Sequence, residues 1–460
     1  MRCLTHSVIP AKGGCRGWFP ARDTSPSRSY LRSRPGLLSA GDDLSRERGS
    51  EKLVEITSRR CHLKFSRTVI VLLLARVLLI FSDSRAEPLF RQVDVFLKGE
   101  QGVHTYRIPG MVVTSKGTVL AFCEARKDSS GDQTPTDMVL KRSEDGGASW
   151  QPLQVVVKGR GLEAIMNPTP VVNRRDGSVL LLCNRFPDVN SQFKPGAVRQ
   201  LVLKSVDDGK TWSAPVDISG QVSDTSAGAS LCVGPGMGIQ TRTGRLVVPF
   251  WHHEGGGEPD LLDSVIYSDD DGKRWKRGAT VSGFGDESQV VELADGSLLF
   301  SIRSTRDCAG DRGHRRTKVA FSRDGGISWS QASLDDALIS PCCQASILRY
   351  SLKREGADKN RLLFSNPAHI SKRVNMTVRV SYDEGKSWPV ARSVYEGPSA
   401  YSCLGVLSDG TIGVLFETGE SHAYEKIAFA RLNLEWLTHG RDQPQRSARQ
   451  GKQTLATEKR

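Results

Sequence analysis

Five copies of one eight-residue phrase, Ser-x-Asp-x-Gly-x-x-Trp, constrain this chain more than any other feature. They run from Ser143 to Trp150, Ser205 to Trp212, Ser268 to Trp275, Ser322 to Trp329 and Ser381 to Trp388, with first serines 62, 63, 54 and 59 residues apart. A period near sixty means that one supersecondary unit recurs, and stacking such units buries a core that no single unit could bury alone. Ser and Asp side chains accept backbone N–H bonds and close a tight turn, Gly supplies a positive φ, and Trp lays a large ring on the strand behind. The flanking stretches, such as Asp137–Leu140 and Val319–Phe321, run apolar or alternate. Each phrase is therefore predicted as a hairpin corner, and one repeat as one blade of a propeller. The polar groups of the phrase are consumed by its own turn, which makes it structural rather than catalytic.

Length alone allows two or three domains, but a repeat that spans the chain argues for one closed unit. The formal charge of +13 would suggest nucleic acid or acidic lipid if it lay on the folded body. It does not: residues 1–86 hold 16 Lys/Arg against 7 Asp/Glu, residues 438–460 hold 6 against 2, and residues 87–437 hold 42 of each. A neutral body lacks the basic footprint that nucleic-acid binding needs. Residues 1–66, rich in Arg, Ser and Gly, read as a disordered or spurious extension. Next, the apolar run Val69–Phe81 follows Arg59, Arg60, Lys64 and Arg67 and precedes Ser84-Arg85-Ala86. That is the layout of a signal peptide over 67–86, and the run is too short to span as a membrane helix. Arg76 interrupts it, so a buried helix or an anchor stays open. The expectation is a protein that is secreted, periplasmic or in a lysosome-like lumen, with a body over 87–437 and a disordered basic tail over 438–460. Seven cysteines fall in the body, Cys123, Cys183, Cys232, Cys308, Cys342, Cys343 and Cys403, with no CxxC spacing. They suggest neither a disulfide framework nor a zinc site, and most of them read as small buried core residues. Dividing the body by the period gives six units. The unit without a phrase would close by joining a late strand, such as Ile412–Phe416, to strands from the start of the body.

Polar residues that break the strand patterns are the candidates for chemistry. Arg107 sits in Tyr106-Arg-Ile-Pro109, and Phe122-Cys-Glu-Ala-Arg126 leads into a polar loop that carries Asp128 and Asp132. Loops with free carboxylates at the mouth of a scaffold are where chemistry is usually mounted. Further on come Met166-Asn167-Pro168, Asp286-Glu287, Ser301-Ile-Arg303-Ser304, Lys372-Arg373-Val-Asn375, Ala400-Tyr401-Ser402 and Phe416-Glu417. In this order and context the sequence resembles the exo-sialidases of glycoside hydrolase family 33 over essentially all of 87–437.

The resemblance implies an all-β fold, a six-bladed β-propeller of four-stranded antiparallel sheets whose repeated phrases are Asp boxes. It implies an arginine triad of Arg107, Arg303 and Arg373, with Arg379 the nearest competitor for the third arm. It also implies Tyr401 as nucleophile, Glu287 as its base, and Asp132, with Asp128 as the alternative, as acid/base. Glu417 would hold Arg107, Arg126 would touch the sugar, and Met166 and Asn167 would lie near the N-acetyl pocket. The expected partners are sialylated glycans, with no cofactor, no metal, no nucleic acid and no stable membrane span. Oligomeric state is not indicated.

The chemistry wants these groups. Guanidinia hold a carboxylate through planar charge-assisted hydrogen bonds that Lys cannot copy. A neutral phenol can approach an anomeric carbon that bears a carboxylate, where Asp or Glu would meet a like charge. A phenol near pKa 10 then needs an adjacent base. A propeller that binds acidic glycans without cleaving them would need the arginines but not Asp132, Glu287 and Tyr401. An enzyme that transfers sialic acid or releases an anhydro sugar would need them all.

Overall fold

The computed structural model describes residues 86–189, 197–223, 230–253, 261–283, 285–305 and 315–443. The extension over 1–66 and all but the last residue of the expected signal peptide lie outside the described residues, as do Cys308 and residues 444–460. What is described is all-β, with only short helices of three or four residues. No helix among the described residues is long and apolar enough to cross a membrane.

The strands form consecutive antiparallel meanders. The first is β2 (Thr105–Val113), β3 (Val119–Arg126), β4 (Thr136–Ser143) and β5 (Gln154–Val157), preceded in the chain by β1 (Phe90–Leu97). The second is β6 (Ala164–Val172), β7 (Val179–Phe186), β8 (Arg199–Ser205) and β9 (Val216–Asp217). In the third, β10 (Ser230–Val233) and β11 (Ile239–Gln240) share one side of β12 (Leu246–His253), followed by β13 (Leu261–Ser268) and β14 (Lys276–Arg277). The fourth is β15 (Gln289–Glu292), β16 (Leu298–Ile302), β17 (Arg316–Ser322) and β18 (Ser333–Ile339). The fifth is β19 (Ser346–Ser351), β20 (Arg361–Pro367), β21 (Val374–Ser381) and the start of β22 (Val390–Val406). The far end of β22 pairs instead with β23 (Ile412–Thr418), which pairs with β24 (Lys426–Leu432), and β1 completes that sheet. Closure thus joins the first strand to the last, β1 to β24. Ile412–Phe416, the strand expected to make this joint, lies one position further in.

The first strands of the groups lie against one another in the order β2, β6, β11, β15, β19, β22 and back to β2. Each repeated phrase begins on the last residue of a third strand. In all five the glycine N–H donates to the leading serine Oγ at 2.8–2.9 Å. The aspartate accepts the backbone N–H four residues on at 2.9 Å. The corner then seats on the preceding group. A Cβ on Gly147 would lie 2.0 Å from Phe429 of β24, and one on Gly209 2.9 Å from Leu120 of β3. Both glycines also hold positive φ, 88° and 79°, so side chains are excluded there twice over. The tryptophans pack the same way, Trp150 edge-on to Phe429 at 5.4 Å and Trp212 to Phe122 at 5.7 Å. The core therefore lies between sheets, around fully buried phenylalanines such as Phe122, Phe300, Phe364 and Phe416. Each contributes about 1.5–3 kcal/mol by burial.

Two expectations are corrected. The fold does not stop at Leu437: Asp442 is buried and accepts from Arg361 Nη2 and Nε, both at 2.7 Å, so the ordered body continues into the stretch assigned to the tail. Cys123, Cys183, Cys232, Cys343 and Cys403 are free and buried, but Cys342 is disulfide-bonded.

Candidate active site

At one end of the first strands lies a cavity of ≈ 360 Å³, within the size range of small-ligand sites. Arg107, Arg126, Asp132, Met166, Asn167, Glu287, Arg303, Arg373 and Tyr401 all line it. The tenth candidate, Glu417, stands directly behind and is fully buried. Asp128 does not line the cavity, nor does Arg379, which is buried against Asn366 Oδ1 at 2.9 Å. Burial pulls the Arg379 guanidinium down to about 10. A larger cavity of ≈ 520 Å³ opens at the opposite ends of the same strands, among Val171, Ile239, Ile347 and Leu404. Its walls are mostly aliphatic, and it holds none of the candidate residues.

The geometry begins with irregular backbone. Ladder registers slip between Arg107 and Gly110 on β2, between Met166 and Thr169 on β6, and between Ser399 and Ser402 on β22. Such bulges re-aim side chains and leave N–H groups without strand partners. Ile108 and Asn167 accordingly sit at φ 62° and 58°, a region that a β-branched residue enters only under constraint. Two buried carboxylates take up the freed N–H groups. Glu417 accepts from Ile108 N at 2.8 Å and from Tyr401 N at 3.1 Å, while Glu124 accepts from Asn167 N at 2.8 Å.

The same carboxylates hold arginines. Arg107 Nε donates to Glu417 at 2.8 Å, and Arg126 Nη2 pairs with Glu124 at 2.7 Å. Burial works against the charge of Arg107, but Glu417 outweighs it and raises the guanidinium above its ordinary value. Glu124 sits two residues before Arg126 and so on the same face of β3. Burial nevertheless pushes its carboxyl up, against the pull of Arg126.

Tyr401 is 5% exposed, and its hydroxyl donates to Glu287. Arg303, just past β16, donates through Nη1 to Glu287 and to Tyr401 Oη, the latter at 3.1 Å, with Asp286 at 3.3 Å. Burial and Glu287 lift the Tyr401 phenol well above its ordinary value, while Arg303 and Arg373 pull the other way. The resting group is a phenol, not a phenolate. Asp132 stands apart on its loop, its side chain 62% exposed, with one oxygen 2.7 Å from Arg126 Nη2. Partial loss of solvent opposes its ionisation even at the rim, but Arg126, Arg107 and Arg303 prevail and hold the carboxyl below the aspartate range.

Several residues at the site went unnoticed in the sequence: Tyr424 against Arg107 and Arg373, and an apolar wall of Phe186, Trp251 and Leu261, while Asp286, noted beside Glu287 but given no role, stands beside Arg303. Asp286 was adjacent to a candidate and Glu124 shared a face with one. Tyr424 carried no motif. Among the described residues, no group of His, Cys, Asp or Glu is arranged to hold a metal ion.

Antiparallel sheets in cyclic contact thus bring three guanidinia and a phenol together at one end of their first strands. Residues 117–414 match the BNR repeat-like domain family. The chain is 33% identical over 368 residues to a sialidase of Micromonospora viridifaciens, covering 76% of this chain and 55% of that one. It is 31% identical over 395 residues to an exo-alpha-sialidase of Aspergillus fumigatus, covering 77% and 91%. Among solved structures it resembles the Hadza microbial sialidase Hz136, with a TM-score of 0.68 and 28% identity over 75% of this chain and 69% of that one. The chain belongs to the sialidase family. It spans little more than half the length of the Micromonospora relative.

Proposed function

We propose that this protein is an exo-α-sialidase on a six-bladed β-propeller, the repeated phrases being its Asp boxes, and that it hydrolyses terminal sialic acids of glycoconjugates with retention through Tyr401. The cyclic order of six first strands supports the fold reading. The observation that carries the activity is the Tyr401 hydroxyl donating to Glu287 at the meeting point of Arg107, Arg303 and Arg373.

The three arginines, Arg107 already supported by Glu417, clasp the substrate carboxylate and fix the anomeric carbon over Tyr401. Glu287 takes the phenolic proton as the oxygen attacks, so the nucleophile is charged only in the transition state. Asp132 gives a proton to the departing glycosidic oxygen and later removes one from the water that cleaves the tyrosyl intermediate. Without a substrate carboxylate, Arg126, Arg107 and Arg303 hold the Asp132 carboxyl below its ordinary value, which favours its ionised form over the acid. The arriving carboxylate neutralises part of that positive field and raises the pKa of Asp132, so substrate binding itself charges the acid with its proton. Arg126 holds Asp132 at the rim, and Met166 and Asn167 shape the wall beside it. A glycan-binding protein without catalysis would have no use for the Tyr401–Glu287 pair.

Proton NMR in the first minutes of sialoside hydrolysis should show the α-anomer appearing first. A β-anomer formed first, or no turnover of any sialoside, would defeat this reading. We also read residues 67–86 as a cleaved leader, so that mass spectrometry of exported protein should find an N-terminus near Glu87. A mature chain that retains Met1 contradicts that.

A further inference from the structure

We infer that Tyr424 is a positioning residue for carboxylate recognition, holding two of the pocket's guanidinia at a fixed spacing without cancelling the charge of either; this rests on the sialidase reading above. Tyr424 lies in the loop between β23 and β24. That loop is shaped by Glu425, whose carboxylate accepts the N–H groups of Glu420, Ser421 and His422 at 2.8, 3.0 and 2.9 Å. His422 packs edge-on against the Tyr424 ring at 4.5 Å, and its Nδ1 accepts the Tyr424 N–H at 3.3 Å. The side chain is thus braced before it meets either arginine.

Its two ends do different work. The ring face lies 3.6 Å from Arg107 Cζ, well inside the range of cation–π attraction. The hydroxyl accepts from Arg373 Nη1 at 2.6 Å. Arg107 is therefore gripped along one edge by Glu417 and on one face by Tyr424, and its Nη1 has no hydrogen-bond partner among the described residues. Arg373 differs from its neighbours. Arg107 pairs with Glu417 and Arg303 with Glu287, but no carboxylate lies within ion-pairing distance of Arg373 among the described residues. Its hydrogen bond goes to a neutral phenol.

The choice of partner matters for an anion receptor. A carboxylate on Arg373 would fix it but neutralise it, and the incoming ligand would have to compete. A hydroxyl fixes it and leaves the full charge available. Because the phenolic oxygen accepts from Arg373, its own hydrogen is free to point toward the ligand carboxylate. Tyr424 also ties the two arms together, so the gap between Arg107 and Arg373 is set by one rigid ring rather than by two long side chains.

The test compares wild type, Tyr424→Phe and Tyr424→Leu in the full chain by calorimetry and steady-state kinetics. The probes are the 2,3-unsaturated analogue of sialic acid, the methyl ester of that analogue, and benzoate. Tyr424→Phe, which keeps the stack and loses the hydroxyl, should weaken the free acid and benzoate about tenfold and the ester hardly at all. Tyr424→Leu should weaken the acids further. The change should appear in KM rather than kcat, and the pH profile of kcat should keep its shape. Equal losses for acid and ester, or unchanged affinity for both acids, would overturn the inference. A wild-type protein that ignores the sugar analogue but binds benzoate, with that binding lost in Tyr424→Phe, would sink the sialidase reading and leave the role of Tyr424 standing.

Discussion

Replacing Glu417 by Gln changes one charge and almost no volume, yet it strikes four hydrogen bonds at once. Oε1 accepts from Arg107 Nε and Ile108 N, both at 2.8 Å, and Oε2 from Tyr401 N at 3.1 Å and Arg107 Nη2 at 3.4 Å. Whichever way the new amide turns, its NH2 group faces two donors. The Arg107 guanidinium, only 5% exposed, is left without a counter-charge. Removing one partner of a buried ion pair costs about 3–5 kcal/mol. With an unfolding entropy of about 2.1 cal/mol/K per residue over roughly 350 residues, that lowers Tm by about 4–7 °C. Scanning calorimetry reads this directly. The double variant with Arg107→Gln should recover part of the loss, since no buried cation then remains unpaired. The site should suffer alongside the fold, because Ile108 and Tyr401 lose the anchor of their bulged backbone. A single variant that melts within about 1 °C of wild type would refute the view that Glu417 organises this end of the domain.

Further outcomes are expected. Asp132→Ala should slow cleavage of natural sialosides by about 10²–10⁴-fold and aryl sialosides less, because a phenolate leaves with little help; the reverse pattern, with Asp128→Ala showing the leaving-group dependence, would exchange their roles. Arg373→Ala should weaken binding of carboxylate-bearing analogues by roughly ten- to a hundredfold, whereas Arg379→Ala should leave affinity intact and lower stability; calorimetry showing the opposite assignment would name the wrong arm. Side-chain hydrogen bonds from Ser149, Thr211 and Arg274 hold Asp145, Asp207 and Asp270 at about 2. Their folded-state pKa values are depressed, so the stability they supply is complete above the ordinary aspartate value and is lost as pH falls through about 2. Tm should thus be insensitive to these groups above pH ~5 and decline between pH ~4 and ~2; a curve flat down to pH ~2 would contradict this.

How much of this was legible in the sequence depended on whether a residue carried local context. The corner phrases did, because turn chemistry is written in consecutive residues, and Ser143, Asp145 and Gly147 make the hydrogen bonds that their types imply. Arg107, Arg303 and Tyr401 stood out as polar residues in apolar strands, and they do meet in one cavity. Tyr424 had no such contrast, since a tyrosine in a polar loop looks like any other until the fold brings Arg107 under its ring. The bulges at Ile108 and Asn167 were equally invisible, because the groups that stabilise them, Glu417 and Glu124, lie 309 and 43 residues away in the chain. Boundaries were hidden for the same reason. Contacts with Lys359 and Arg361 reveal that Asp442 belongs to the body.

The strand β22 belongs to two sheets, and Tyr401 lies on it near the changeover. Besides Glu287 and Arg303 from mid-chain, groups around Tyr401 come from opposite ends of the polypeptide: Arg107 from the opening strands over its ring, and Glu417 from the closing hairpin on its backbone N–H. A nascent chain leaving the ribosome can therefore seat four of its five corners while the pocket still lacks one side, the first corner waiting for Phe429 of β24. Only when the last hairpin emerges and β24 finds β1 do the carboxylate of Glu417 and the ring of Tyr424 arrive together. On the proposed function, a shortened chain ending before that hairpin lacks Glu417 and Tyr424 and is expected not to hold the substrate carboxylate.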